Sequence, residues 1–153
     1  MATATELIVA EELDQLRQLA ESQDGWSLPV INSAEFLLGV PRKGGGELWV
    51  HCELDQYPTL PPIWRWCDPD GKMFDDPRVT PIGGSSYFIE PGILCAPWNR
   101  LAYKGVDARG PHTDWDIGDW KANSHTRQCK TLAAMASRIA IEARLRFAGM
   151  KQA

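Results

Sequence analysis

The sequence lacks long hydrophobic segments and any excess of basic residues. The apolar run at residues 7–10 is too short for the core of a signal peptide, and no later run is long enough to span a bilayer. The formal net charge is -4, which argues against a domain-wide nucleic-acid interface because such interfaces need a clustered basic face. These absences favour a cytoplasmic protein with protein or small-molecule partners, no nucleic acid and no membrane.

Closely spaced cysteines and nucleotide-binding glycine motifs are also missing. No two cysteines have the C-x-x-C spacing of zinc sites, and the glycines at residues 44–46 are not followed by the Lys and Ser or Thr of a phosphate loop. The turn at residues 68–71 lacks the other ligands of a calcium loop. We therefore expect no metal and no cofactor, and reduced single thiols: Cys52, Cys67, Cys95 and Cys129.

The length of 153 residues fits one domain spanning residues 1–153. Thr3 and Glu6 have the spacing of a helix capping box, and apolar residues then recur with a helical period until Asp24 and Gly25. This pattern predicts an amphipathic first helix with an apolar side formed by Val9, Leu13, Leu16 and Ala20.

The next part of the chain has the pattern of an antiparallel meander. Apolar residues between 26 and 41 precede a glycine-rich turn at 42–46, and residues 47–54 then alternate between apolar and polar, with Cys52 on the apolar side. Prolines interrupt the pattern at 58–62, and residues 63–67, which include Cys67, resume it. We predict three paired strands, a candidate fourth strand at residues 78–82, and buried positions for both cysteines.

The remaining chain divides into a long irregular segment and a helix. Residues 83–123 are rich in glycine, proline, tryptophan and charge, and ordered loops of this length usually carry function. A last helix is predicted from about Thr126, with Gly149 just past its end. Cys129 would then lie in the first helical turn, where the aligned amides can lower a thiol pKa, which makes it a rival to Cys95 as a reactive thiol.

The order of these elements resembles that of the ubiquitin-conjugating enzyme family. The resemblance covers most of the chain and depends chiefly on the Tyr-Pro-x-x-x-Pro-Pro elbow at 57–62 and on Gly-Ile-Leu-Cys at 92–95. Residues 91–103, followed by 110–115, are most similar to small bacterial members encoded in anti-phage ubiquitin-like conjugation operons of the Bil type. The resemblance implies an α+β ubiquitin-conjugating (UBC-like) fold, with an N-terminal helix, a meander of about four strands, a cysteine-bearing loop and a C-terminal helix.

The family resemblance also implies an activity and three protein partners. Cys95 would accept a ubiquitin-like protein from an activating enzyme as a thioester and pass it to a lysine of a target protein, in bacterial anti-phage defence. The first helix and neighbouring loops would contact the activating enzyme.

One departure matters, because the family's His-Pro-Asn triplet is replaced by Ser-Ser-Tyr-Phe-Ile-Glu at residues 85–90. Transfer activity therefore needs another group in that role, or has been lost.

Several side chains near Cys95 are candidates for supporting roles. Thioester exchange needs a thiolate but no metal, and Arg100 or Lys104 could favour the thiolate. Asn99 is a candidate donor to the oxyanion, and Trp98 is a candidate wall for the tail of the ubiquitin-like protein. The alternative for both side chains is a structural role in surface packing.

A second group of polar residues could activate the incoming amine. His112, with Asp114 and Asp116, has the composition of a proton acceptor backed by carboxylates, although a solvated polar loop has the same composition. Substitution of His112 is expected to slow amine transfer and to leave thioester charging intact. Tyr103 and Arg100 could instead hold this loop in place.

Two other functions are compatible with the same residues. One is a non-catalytic UBC-fold module that binds a ubiquitin-like partner, which the missing triplet favours and the retained cysteine opposes. The other is a thiol hydrolase that uses Cys95 with His112 or His125. Loss of function on removal of Cys95 would exclude the first, and an acyl-enzyme formed with a small ester would indicate the second.

Overall fold

A computed structural model describes residues 1–74, 80–89 and 92–151. The first element of the fold is helix α1 (Ala4–Ser22). The Thr3 hydroxyl accepts the Glu6 N–H at 3.1 Å, and the Glu6 carboxylate accepts the Thr3 N–H at 3.4 Å. The predicted capping box is therefore confirmed. The predicted apolar side is also confirmed, because its four residues are buried.

Four antiparallel strands follow α1 in sequence order: β1 (Ser27–Ile31), β2 (Glu35–Pro41), β3 (Glu47–Glu53) and β4 (Ile63–Cys67). The meander of β2, β3 and β4 is confirmed, and the sheet has four strands because the apolar stretch before the glycine-rich turn forms two. Asn32 divides that stretch, since its Oδ1 accepts the N–H groups of Ala34 and Glu35 and so closes a turn.

The candidate fourth strand at residues 78–82 was wrong as a member of this sheet. Residues 78 and 79 lie outside the described residues, and Pro81–Gly83 forms β5, which pairs with β6 (Phe147–Met150). The Lys151 N–H extends this pairing to the Thr80 carbonyl at 2.7 Å. Strand β6 is only four residues long and follows a helix directly, so its sequence carries no period from which to predict it.

The last helix, α2 (Leu132–Arg146), begins six residues later than predicted. The Thr131 hydroxyl accepts the Ala134 N–H and caps the helix, whereas the Thr126 hydroxyl donates to the Trp120 carbonyl. Cys129 therefore precedes the helix, and its predicted place in the first helical turn was wrong. Gly149 lies three residues past the end of the helix, as predicted, and belongs to β6.

The core lies between the sheet and the two helices. Its largest fully buried side chains include Trp64, Trp98 and Trp120. A charged residue, Glu12 of α1, is also buried, and its Oε1 accepts the Tyr57 hydroxyl at 2.5 Å and the backbone N–H of Leu132 at 2.9 Å. One carboxylate thus joins α1, the proline elbow and the start of α2.

Between β5 and α2 the described chain contains short 3₁₀ helices and loops, which agrees with the irregular segment that the sequence predicts. The 3₁₀ helices are Ser86–Phe88, Arg100–Ala102 and Ile117–Ala122. Cys95 lies between the first two of them. In the described parts of the chain, no helix has the length and apolar composition needed to cross a membrane.

Candidate active site

Cys95 is held by the first 3₁₀ helix, Ser86–Phe88. The Cys95 N–H donates to the Ser86 carbonyl at 3.0 Å, and Ser86 begins the 3₁₀ helix that follows β5. Cys95 is 9% exposed and lines a cavity of about 610 Å³. The thiol is thus placed at the wall of an open cavity and not within a sheet.

His112 lies against the thiol, in contact with both Cys95 and a carboxylate. Its Nε2 is 3.1 Å from Cys95 Sγ, and its Nδ1 is 3.2 Å from Asp114 Oδ1. An ionised carboxylate can only accept, so the ring carries its proton on Nδ1 and donates it to Asp114. Nε2 is then free to accept the thiol proton. This is the arrangement of nucleophile, base and orienting carboxylate used in acyl-transfer enzymes.

Backbone pairing fixes the position of His112. Its N–H donates to the Ala102 carbonyl at 3.1 Å, and its carbonyl accepts the Lys104 N–H at 2.9 Å. Gly110 makes this pairing possible, because a Cβ at that position would lie 2.7 Å from the Leu101 carbonyl oxygen and under 3.0 Å from two further backbone atoms. The loop that carries His112 can therefore approach the 3₁₀ helix closely only through a glycine.

Gly110→Ala is expected to move His112 away from Cys95 and to slow carbamidomethylation of Cys95 by iodoacetamide at pH 7 at least about tenfold, because the base no longer reaches the thiol. The rate is measured by mass spectrometry of the Cys95 peptide. Gly105→Ala is the matched control, since a Cβ there has no heavy atom within 4 Å. Equal rates for the two variants would contradict the role given to Gly110.

The electrostatics of the site favour a neutral thiol in the resting state. Burial raises the pKa of Cys95 to about 11, and among the described residues no cation lowers it. The expectation that Arg100 or Lys104 favours the thiolate finds no support in this shift. The hydrogen bond from His112 lowers the pKa of Asp114, which keeps that carboxylate ionised and able to orient the ring. A base in contact with Sγ is consequently required for the thiol to act at neutral pH.

The cavity in front of Cys95 brings distant parts of the chain together. It is lined by residues from both sides of Cys95, by His112 and Trp115, and by residues 125–129 together with Arg138 of α2. Cys129 is among them, half-buried, with its pKa raised by burial and partly lowered by Arg138. It remains a second thiol in the same cavity, without the lowered pKa expected from a place in the first turn of a helix.

Two of the predicted supporting residues are fully buried, which changes their roles. The Asn99 amide nitrogen donates to the Leu94 carbonyl at 2.7 Å, and its oxygen accepts the N–H of Trp64 at 3.0 Å. This geometry supports positioning of the cysteine segment against β4 and does not support a donor to the oxyanion. Trp98 packs against Trp64 in the core, so the prediction that it forms a surface wall was wrong.

The predicted loop-holding residues act at separate places. Arg100 donates to the carbonyls of Pro61 and Asp55 and so anchors the proline elbow. The Tyr103 hydroxyl donates to the Pro97 carbonyl at 2.7 Å, which fixes the chain just after Cys95. Asp116 accepts the Gly118 N–H and caps the third 3₁₀ helix. This hydrogen bond turns its carboxylate to the helix and does not involve His112.

Trp115 is part of the site, although no motif in the sequence around it indicated a role there. Its ring lies parallel to that of His112, with centroids 3.3 Å apart and an interplanar angle of 7°. The other candidate histidine, His125, lies 6.0 Å from the Trp115 ring by centroid and belongs to the rim of the cavity. His112 is therefore the histidine in contact with Cys95.

The residues that the site brings together are those of a thiol nucleophile and not those of a metal centre. Within residues 1–74, 80–89 and 92–151, no three His, Cys, Asp or Glu side chains are grouped so that they could hold a metal ion.

The chain has no match among protein-family models, curated proteins or solved structures.

Proposed function

We propose that this protein is an acyl transferase of the ubiquitin-conjugating type, which accepts a ubiquitin-like protein on Cys95 and transfers it to an amine of a target protein. The observation that carries the proposal is the contact between Cys95 Sγ and His112 Nε2, with Asp114 behind the ring. The order of helix, four-stranded antiparallel sheet and helix is compatible with that family. Anti-phage conjugation in a bacterial cell is the setting that the sequence resemblance favours.

In the charging step, Cys95 exchanges with the thioester carried by an activating enzyme. Sγ forms a bond to the carbonyl carbon of the ubiquitin-like protein while its proton passes to His112 Nε2. The carbon–sulfur bond to the activating enzyme then breaks, and the departing thiolate takes the proton from the His112 imidazolium, which leaves Nε2 free again. The step needs no metal, because the acyl group is already activated and one thiolate replaces another.

In the transfer step, an amine replaces the Cys95 sulfur. A lysine is mostly the ammonium ion at neutral pH, so it has to lose one proton before its nitrogen can attack and a second proton as the amide forms. Once Sγ is acylated, His112 Nε2 has no thiol proton to accept and is available to take one from the amine. The carbon–nitrogen bond forms, the carbon–sulfur bond breaks, and the His112 imidazolium returns the proton to Sγ, which restores the thiol.

The contact with Sγ changes one expectation from the sequence. A histidine that only activated the amine would leave charging intact when removed. His112 touches the nucleophile itself, and burial holds the Cys95 pKa near 11, so the same base serves both steps. We therefore expect its removal to slow charging as well as transfer.

The proposal is tested by charging assays with a candidate activating enzyme, a ubiquitin-like protein and adenosine triphosphate. Wild type is expected to form an adduct that disappears under reducing conditions, and Cys95→Ser is expected to form either a thiol-resistant ester or nothing. Cys129→Ser is the matched control, because Cys129 lines the same cavity and is expected to leave the adduct unchanged. An adduct that survives in Cys95→Ser as a reducible thioester, or that is lost in Cys129→Ser, would move the nucleophile to Cys129.

A thiol hydrolase is the second candidate, and the same three residues favour it. Cysteine, histidine and aspartate in contact are also the groups of cysteine hydrolases, with water as the final acceptor. A small ester probe distinguishes the two functions: a hydrolase turns over many equivalents, whereas a conjugating enzyme stops after one unless an amine is added. A non-catalytic binding module would instead keep its function in Cys95→Ala.

A further inference from the structure

Trp115 covers one face of the His112 ring. The two rings are parallel within 7°, with centroids 3.3 Å apart, and both side chains line the cavity in front of Cys95. Tyr103 packs edge-on against Trp115, with ring centroids 5.9 Å apart, and is itself tied to the Pro97 carbonyl. The indole is therefore supported from behind and is not a loosely held surface ring.

An indole face attracts positive charge, and the interaction strengthens when solvent is excluded. His112 gains a positive charge when it takes the thiol or amine proton. We propose that Trp115 is a positioning residue, whose ring face holds His112 against Cys95 and stabilises the protonated imidazole that forms as Sγ attacks. This inference rests on the base role of His112 and not on the identity of the acyl donor.

The other groups around the imidazole contribute little to stabilising its positive charge. Asp114 binds Nδ1 but its side chain is 76% exposed, so water weakens its effect on the ring charge. Arg138 is paired with Glu142 at 2.6 Å, and His125 lies beyond the indole, on the rim with exposed Arg127. Cys95 itself supplies the proton. The ring face is thus left to Trp115 among the described neighbours.

The reaction with iodoacetamide isolates this role, because it needs neither a ubiquitin-like protein nor an activating enzyme. Sγ forms a bond to the methylene carbon, iodide leaves, and the thiol proton passes to His112 Nε2. Trp115→Leu removes the aromatic face, whereas Trp115→Phe keeps one, and both replacements are apolar side chains smaller than the indole. Trp26→Leu is the matched control, since Trp26 lines a different cavity.

We expect Trp115→Leu to lower the rate of Cys95 modification at pH 7 by roughly tenfold, and Trp115→Phe to lower it by less than about threefold. The decisive measurement is the double-mutant cycle. In a His112→Ala background, Trp115→Leu should cause no further loss, because its effect passes through the imidazole. Circular dichroism of each variant verifies that the chain is folded.

Three outcomes would overturn the inference: no loss in Trp115→Leu, an equal loss in the Phe and Leu variants, or an undiminished loss in the His112→Ala background. The last would mean that Trp115 only shapes the cavity. If Trp115→Leu does not fold, the fluorescence difference between wild type and Trp115→Phe provides a second measurement. Because the imidazole is stacked on the indole, this signal should change in His112→Ala and be kept in His125→Ala, and an unchanged signal in His112→Ala would contradict the stack.

Discussion

His112→Ala is expected to slow transfer of the acyl group from Cys95 to lysine by about 10²- to 10⁴-fold, the usual contribution of a positioned general base. The physical reason is that Nε2 is the atom placed 3.1 Å from the reacting sulfur. Transfer is measured in a single turnover, by mixing the isolated thioester with free lysine and following loss of the adduct.

Charging of the same variant should also be slow at pH 7 and should recover as the pH rises. Because the Cys95 pKa is about 11, the thiolate fraction increases about tenfold for each pH unit below that value, and the need for a base falls in proportion. The ratio of wild-type to variant charging rates should therefore shrink steadily between pH 7 and pH 10. A constant ratio would show that His112 does not act on the thiol.

The neighbouring aspartates provide graded controls for this result. Asp114→Asn removes the charge behind the ring, and we expect a loss smaller than that of His112→Ala because the Asp114 side chain is largely exposed. Asp116→Asn should stay within about threefold of wild type, because asparagine can also cap the 3₁₀ helix that follows. Equal losses in both aspartate variants would point to a general effect on the loop.

The second large effect is on stability. Glu12→Ala is expected to lower the free energy of unfolding by about 3 kcal/mol, since it leaves the buried Tyr57 hydroxyl and the Leu132 N–H without their shared acceptor. The carboxylate also lies at the positive end of α2, where a negative charge is favourable. Urea unfolding followed by circular dichroism measures the change, which corresponds to a fall in Tm of about 10 °C.

Glu11→Ala is the matched control for Glu12→Ala, because Glu11 is the exposed preceding residue on the same helix. Its effect on the free energy of unfolding should stay within about 0.5 kcal/mol. Glu12→Gln should fall between the two, since an amide oxygen can still accept one of the hydrogen bonds. If Glu12→Ala were as stable as Glu11→Ala, the carboxylate would not be a structural link.

Local patterns made much of the fold predictable. The capping box at Thr3, the alternation in β3 and the glycine-rich turn each depend on neighbours in sequence, and the structure confirms all three. Errors arose where distant residues decide the outcome. Strand β5 pairs with a strand about 65 residues later, and Thr131 starts α2 because the chain before it is tied to Trp120.

The candidate site was predictable in composition but not in arrangement. Cys95, His112 and Asp114 were each identified by residue type and by the loop that carries them, and the structure brings these three into contact. The roles of Asn99 and Trp98 could not be deduced, because their burial depends on packing against β4. Trp115 was missed because nothing in one sequence shows which aromatic ring lies against a given histidine.

The long-range pairing of β5 with β6 has a consequence for synthesis of the chain. Strand β5 leads into the Ser86 segment that holds Cys95, and residues 125–129 and Arg138 complete the cavity, so part of the wall in front of the nucleophile comes from segments synthesised after it. Contacts this distant in sequence form slowly. A nascent chain stalled before α2 would carry Cys95 and His112 without β6 or Arg138, and the cavity in front of the thiol would be completed only once α2 has been made.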